Sequence, residues 1–288
     1  MIARLLSILL LTLLSIEQAH AELVVTTRNI FDSRYLNYYT DLVTLALEKT
    51  RPEYGDYRMK EISTIETKRT LAMVVQNTHP NLIIELAYDE QLTADHNLMF
   101  IDIPVDGGTI GYRACYVNPA IKEELKKVNT FEGLRKYTFG QGVGWADTAI
   151  LRHNGLKVIE IANFESIFKM TIAGRLDFFC RGASQIKDEV EQFKLLNNIA
   201  IDDTFILSYS LPRFFYLNSK NTLAKKRIAA GMKIAFADGS LKRLWLKYNK
   251  EGIDFIKMKG RRVYKLENPF IKNLNPDYSH YFFDPLAI

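Results

Sequence analysis

The stretch Tyr137-Thr-Phe-Gly-Gln-Gly-Val-Gly-Trp-Ala-Asp-Thr148, followed by Asn163-Phe-Glu-Ser-Ile-Phe-Lys-Met-Thr-Ile-Ala-Gly-Arg-Leu-Asp-Phe-Phe-Cys180, decides how this chain folds. It reads as a strand, a glycine-rich turn and a helix, then an amphipathic helix feeding a further strand. Glycine lets the backbone approach a neighbour closely, and the helix after Gly144 would aim its first N–H groups out of the sheet edge. The combination suits a small polar or anionic ligand, and it holds no catalytic motif.

Upstream, Leu23–Thr27 reads as a buried strand. Leu36, Tyr39, Leu42, Val43, Ala46 and Leu47 then recur at helical spacing until Pro52 stops them. A strand over Tyr57–Ile62, a helix over Thr67–Gln76 and a strand over Asn81–Leu86 follow. This alternation implies a parallel, helix-covered sheet. Met99–Pro104 and Gly111–Val117 are extended runs around the turn Asp106-Gly-Gly108. A second strand and helix series starts there, with helix Ala120–Lys127, a short turn capped by Thr130, strand Lys136–Gly140, a helix after Gly144, strand Lys157–Ile161, helix Phe164–Ala173 and strand Leu176–Cys180. Phe205–Ser210 and Arg213–Leu217 are again extended. The helix Leu223–Ala237 breaks at Asp238-Gly239 and resumes from Ser240, the expected N-cap, to Tyr248. From Arg261 the tail has no periodicity and is expected to wrap a surface. The fold class is α/β, with two similar units joined by extended segments and a cleft between them as the default ligand site.

Composition is that of an ordinary globular protein, 48% hydrophobic and 25% charged. The chain is long enough for two cores. Met1-Ile-Ala-Arg4, the apolar run Leu5–Ile16 and the small-x-small site Ala19-His-Ala21 read as a cleaved export signal over residues 1–21. The apolar run is too short to span a bilayer comfortably. The mature protein is therefore expected in the periplasm, not embedded in a membrane. The net charge of +5 is spread along the chain, and the basic clusters Lys122–Lys127 and Lys257–Arg262 are brief and lack interleaved aromatics, which argues against nucleic acid as a partner. With 2 cysteines and 5 histidines and no CxxC or HExxH spacing, no metal or cofactor is expected. Export makes a Cys115–Cys180 disulfide possible, and two buried thiols are the slightly favoured alternative.

Three segments in order carry a resemblance. Thr130-Phe-Glu-Gly-Leu-Arg-Lys-Tyr-Thr-Phe-Gly-Gln-Gly142, Phe164–Asp177 and Leu223–Leu241 are similar to the start of the second lobe, the following helix and strand, and the closing helix pair of the extracytoplasmic solute-binding proteins of family 3, the polar amino-acid-binding type of bacterial ABC importers. The resemblance covers nearly all of the mature chain. It implies a type II periplasmic-binding fold, with each lobe a mainly parallel sheet flanked by helices and two hinge strands between lobes. The first lobe would span 22–109 and, after the return of the chain, 205–288. The second would span 110–204. It also implies a monomer that captures a small molecule for an ABC permease, or alternatively a sensor or accessory protein reporting to a membrane partner.

The departures bear on the ligand. The family's Thr-x-Glu-Arg segment, whose arginine takes a ligand carboxylate, is matched by Thr93-Ala-Asp-His96, and the aspartate that receives an ammonium falls at Gly182, preceded by Arg181. Arg113 and Arg181 are the replacement candidates for negative groups, because a guanidinium binds a carboxylate bidentately. Gly144, Asp147 and Thr148 would belong to the ligand turn, and Trp145 or Tyr35 would stack on the ligand body. Each has a plainer reading: Arg113 paired with a carboxylate at the hinge, Arg181 on the surface, Trp145 and Tyr35 in packing, Asp147 at a helix start where its charge suits the dipole. Asp177 reads as structural. An enzyme on the same fold, dehydratase-like and using carboxylates such as Glu85, Asp89 and Glu90, is the alternative of another class. No GxSxG, Cys–His or phosphate-loop signature supports it, so no catalytic residue is expected.

Overall fold

The computed structural model describes residues 22–29, 34–63, 67–193 and 199–287. The export signal expected over 1–21 and the side chain of Tyr35 lie outside the described residues. The first unit runs β1 (Leu23–Asn29), α1 (Arg34–Lys49), β2 (Tyr57–Ser63), α2 (Thr67–Gln76), β3 (Ile84–Ala87) and β4 (Leu98–Phe100). The second runs β5 (Tyr112–Val117), β6 (Thr138–Gly142), α3 (Ala146–His153), β7 (Lys157–Ile161), α4 (Phe164–Ile172), β8 (Phe178–Gly182), α5 (Ile186–Gln192) and β9 (Ala200–Ile201). The chain finishes with β10 (Phe205–Ser208), β11 (Arg213–Asn218), α6 (Thr222–Ala237), α7 (Ser240–Ile256) and β12 (Arg262–Lys265).

In the first unit β1 and β2 are parallel, β11 lies antiparallel between β3 and β4, and a bridge from Thr26 to Leu82 joins the two pieces. The second sheet has the order β12-β10-β5-β8-β6-β7, with β9 also on β5. Helix α1 forms because Tyr38, Tyr39, Leu42, Val43, Ala46 and Leu47 make one buried stripe. Helix α6 packs so closely on it that a Cβ at Gly231 would lie 1.9 Å from the Ala46 carbonyl oxygen.

Several expectations change. Cys115 and Cys180 are directly opposed on β5 and β8 and form a disulfide, against the slight preference for thiols. The helix expected over Ala120–Lys127 forms two residues shorter at its end, as a 3-10 turn Pro119–Ile121 running into the α-helical turn Lys122–Leu125, where Leu125 is buried. Gly239 is the N-cap of α7, with Asp238 accepting from the Ser240 N–H at 2.8 Å, so Ser240 sits inside the helix. Helix α7 runs on to Ile256 because Ile253 and Ile256 are buried. Strands β10 and β12 hydrogen-bond into the second sheet, although both lie beyond residue 204.

The largest apolar cluster does not stop at the boundary between units. It includes Val25, Leu42 and Phe215 of the first and Tyr116, Phe168, Phe179 and Ile186 of the second, with Trp245, Ile253 and Ile256 of α7 in the same cluster.

Candidate functional site

Two segments connect the sheets, residues 101–111 and 209–212. They touch: the Tyr209 N–H donates to the Gly111 carbonyl at 3.2 Å, and a Cβ at Gly111 would lie 2.0 Å from the Tyr209 carbonyl oxygen. Glycine is required at 111 for that approach. On the first-unit side, the Val105 N–H donates to the Arg213 carbonyl at 2.9 Å.

Charged side chains converge on this connection. Arg113, at the start of β5, donates through Nε to the Tyr209 hydroxyl at 3.0 Å and lies 2.7 Å from Asp147 Oδ1. The Tyr209 hydroxyl donates to the same Asp147 oxygen. Asp147 is in the first turn of α3, where a carboxylate is favoured by the helix dipole. Burial pulls the Arg113 guanidinium down, but Asp147 and Tyr209 outweigh it and leave it raised. Burial raises the Tyr209 hydroxyl well above the ordinary range, so it stays a donor. Gln141 Oε1 and the Thr148 hydroxyl are buried and have no hydrogen-bond partner among the described residues.

On the first-unit side, Arg28 at the end of β1 pairs with Glu85 of β3, both buried, and donates to Thr67 at 3.3 Å. Arg213 donates to the Glu85 carbonyl at 3.1 Å and lies 3.7 Å from its carboxylate. A cavity of about 10 Å³, the room of one water, lies beside Thr27, Arg28, Thr40 and Glu85. Asp106, in the first connection, accepts from the Gly108 N–H at 3.0 Å, and its other oxygen is buried and has no partner among the described residues. Burial pushes its carboxyl up to about 6, against the opposing pull of Arg213 and Arg113.

Arg181 lies on the other face of the second sheet. Arg113 pairs with Gly182 and Ala114 with Arg181 across β5 and β8, so the period of two sends the two arginine side chains to opposite faces. The Arg181 guanidinium is 4.9 Å from the Trp145 ring centroid, 5.2 Å from Phe164 and 5.7 Å from Phe179. It pairs with Glu189 of α5 at 2.7 Å, and Tyr116 donates to the second Glu189 oxygen at 3.2 Å. Trp145 is therefore a platform, and the cation over it is Arg181.

The structure thus brings Arg113 and Asp147 to one face and Arg181 and Trp145 to the other, and buries Thr148. Gly144 has a φ of +75° with open space around it, and its N–H donates to Glu160 at 3.3 Å. His96 is exposed in the turn before β4, and Asp177 is structural, accepting from the Thr138 N–H at 2.8 Å. Sequence reasoning missed Arg28, Asp106, Glu189, Tyr209 and Arg213. A charge closing the apolar strand Leu23–Thr27, or set within Leu82–Leu86, was the available signal for Arg28 and Glu85.

No protein-family model matches this chain, and no curated protein matches it. Solved structures do. The probable amino-acid ABC transporter extracellular-binding protein ytmK from Bacillus subtilis superposes with a TM-score of 0.59 at 12% identity, over 79% of this chain and 98% of its own. The periplasmic VFT2 domain of Bordetella pertussis BvgS superposes with a TM-score of 0.55 at 14% identity, over 80% of this chain and 94% of its own. The fold is the two-lobed, type II periplasmic-binding-protein fold. The GluR0 ligand-binding core from Nostoc punctiforme, in complex with L-glutamate, superposes at 0.51 and 15% identity, over 78% of this chain and 98% of its own. Residues 101–111 and 209–212 connect the sheets of this fold, and Asp106, Arg113 and Arg213 lie in or beside them.

Proposed function

We propose that this chain is a divergent member of solute-binding family 3, exported to the periplasm as a soluble monomer with lobes near 22–109 and 110–204, the chain after 204 returning to the first lobe while β10 and β12 extend the sheet of the second. It captures a small polar or anionic ligand between the lobes without transforming it. The observation that carries this reading is the convergence of Arg28, Glu85, Arg213, Asp106, Arg113 and Asp147 on the hinge of a fold whose structural neighbours are ligand-binding domains. Arg181, Trp145, Gly144 and Thr148 belong to the second lobe in this reading, and Tyr35 to the first. Because Arg113 and Arg181 each already face a carboxylate, an anionic ligand must compete with Asp147 or Glu189, which favours a ligand with polar groups of both characters.

The test is a thermal-shift screen of the purified protein against amino acids, di- and tricarboxylates, sugar acids, amines and small peptides. A ligand at a hundredfold excess over its Kd stabilises by about 2.7 kcal/mol. The expected outcome is concentration-dependent stabilisation by one class, reduced at least tenfold in affinity by Arg181→Ala. Unchanged affinity in both Arg113→Ala and Arg181→Ala overturns the site assignment.

An ABC permease is the partner in the import reading. A second reading, a periplasmic sensor or accessory module, is favoured by the BvgS likeness and by the extra connections between the lobes described next.

A further inference from the structure

A hinged binding protein needs lobes that separate, and relative motion is the default where the interface between domains is small and polar. Here the last part of the chain works against separation at several independent places. Helix α7, which packs on α1 of the first lobe, also meets the second. A Cβ at Gly252 would lie 2.2 Å from the Ser184 carbonyl oxygen, and Glu251 lies 3.3 Å from Lys187 of α5. The chain then enters the second lobe as β12, in parallel register with β10 from Phe205–Arg262 to Ser208–Lys265. Arg262 donates to the Val128 carbonyl at 2.8 Å. Asn154, just after α3, exchanges two hydrogen bonds with the Glu267 backbone, at 2.8 and 3.0 Å.

From there the tail recrosses to the first lobe, gripping both hinge connections. Asn268 donates to the Ser210 carbonyl at 2.8 Å, and the Ser210 and Tyr278 hydroxyls are 3.1 Å apart. The Phe283 N–H donates to the Gly107 carbonyl at 2.8 Å. Gly107 and Gly108 have φ of +59° and +73°, and the Phe283 and Phe282 rings occupy the space their side chains would need. Phe283 also packs on Trp245 of α7.

We propose that residues 257–287 are a strap that holds the two lobes together in one arrangement whether or not the cleft is filled. The chain passes between the lobes four times: twice through the hinge, once from α7 into β12, and once from β12 into the tail. An apolar cluster shared by both lobes lies behind these passages. Opening the cleft would therefore require breaking β12 from β10, or the tail from the hinge glycines, in addition to bending the hinge.

The experiment measures the distance between spin labels on Lys68→Cys in the first lobe and Lys157→Cys in the second, both exposed positions, in the full chain without ligand. One narrow distribution is expected. With Phe282→Ala and Phe283→Ala added, the distribution should at least double in width or gain a second, longer distance. Asn154→Ala is the milder release and decides the matter if the double variant does not fold. A broad or two-peaked distribution in the intact chain overturns the proposal, as does a distribution that stays narrow in the released variants. Neither result depends on ligand identity, so failure here leaves the solute-binding reading standing.

Discussion

Arg113, Asp147 and Tyr209 are three buried polar groups that satisfy one another, and their worth depends on all three being present. Removing one member leaves an uncompensated partner, which costs far more than the net worth of the intact set. Asp147→Ala should destabilise the protein by about 3–5 kcal/mol in urea unfolding, whereas Asp147→Asn, which can still accept from Arg113, should cost less. Asp106 gives the second prediction at this scale. Its folded value of about 6 lies above the 3.8 of an unperturbed aspartate. Between those values the folded chain holds a proton that the unfolded chain has lost. Its contribution to stability therefore falls as pH rises from about 4 to about 6, by about 3 kcal/mol in all, and is level above that. Comparing urea midpoints at pH 4.5 and 7.5 tests this: the difference between the intact chain and Asp106→Asn should change in that direction, and an unchanged difference contradicts it. In the sequence Arg113 reads as a candidate to pair with a carboxylate and Asp147 as a residue at a helix start, as found, but Tyr209 was not legible, because it is 96 residues from Arg113 and no local pattern announces their meeting.

The elements themselves were largely legible. The helix at Thr67–Gln76 and the strand at Lys157–Ile161 were read to the residue, because an apolar stripe or a β-rich run between turn residues is a local property. Helix α5 and strand β12 escaped for the opposite reason. Arg262-Val-Tyr-Lys265 is short, basic and only half-buried, and it is a strand because β10, more than fifty residues earlier, offers it an edge. The Cys115–Cys180 bond likewise depends on the register of β5 and β8, which no spacing rule gives. It closes a loop with a sequence separation of 65. Replacing both cysteines by alanine should cost about 4 kcal/mol by the loop-entropy relation, measured as a shift in chemical denaturation midpoint. A shift near zero would mean that packing of β5 on β8 alone sets the geometry.

At the scale of the whole molecule, the two-lobed architecture followed from two strand and helix series and a returning chain. The extra passages between lobes did not, because the tail's aromatics and prolines carry no periodicity that points to a partner. The arginines read as a ligand clamp are both present at the strand ends, yet on opposite faces and each beside its own carboxylate. Which residues gather at the hinge is a consequence of sheet register and chain return, and those are properties of the assembled fold.

The cluster that holds Leu42, Phe168 and Trp245 together also determines how the protein comes apart. Lobes with separate interiors can melt one after the other, whereas a shared interior ties their fates. Calorimetry should therefore record a single endotherm whose van't Hoff and calorimetric enthalpies agree, and two resolved peaks would show the halves to be thermodynamically independent. A protein built this way cannot lose one half to heat or protease and keep the other. Its turnover in the cell would then be an all-or-none event, set by the stability of the least secure of its four crossings.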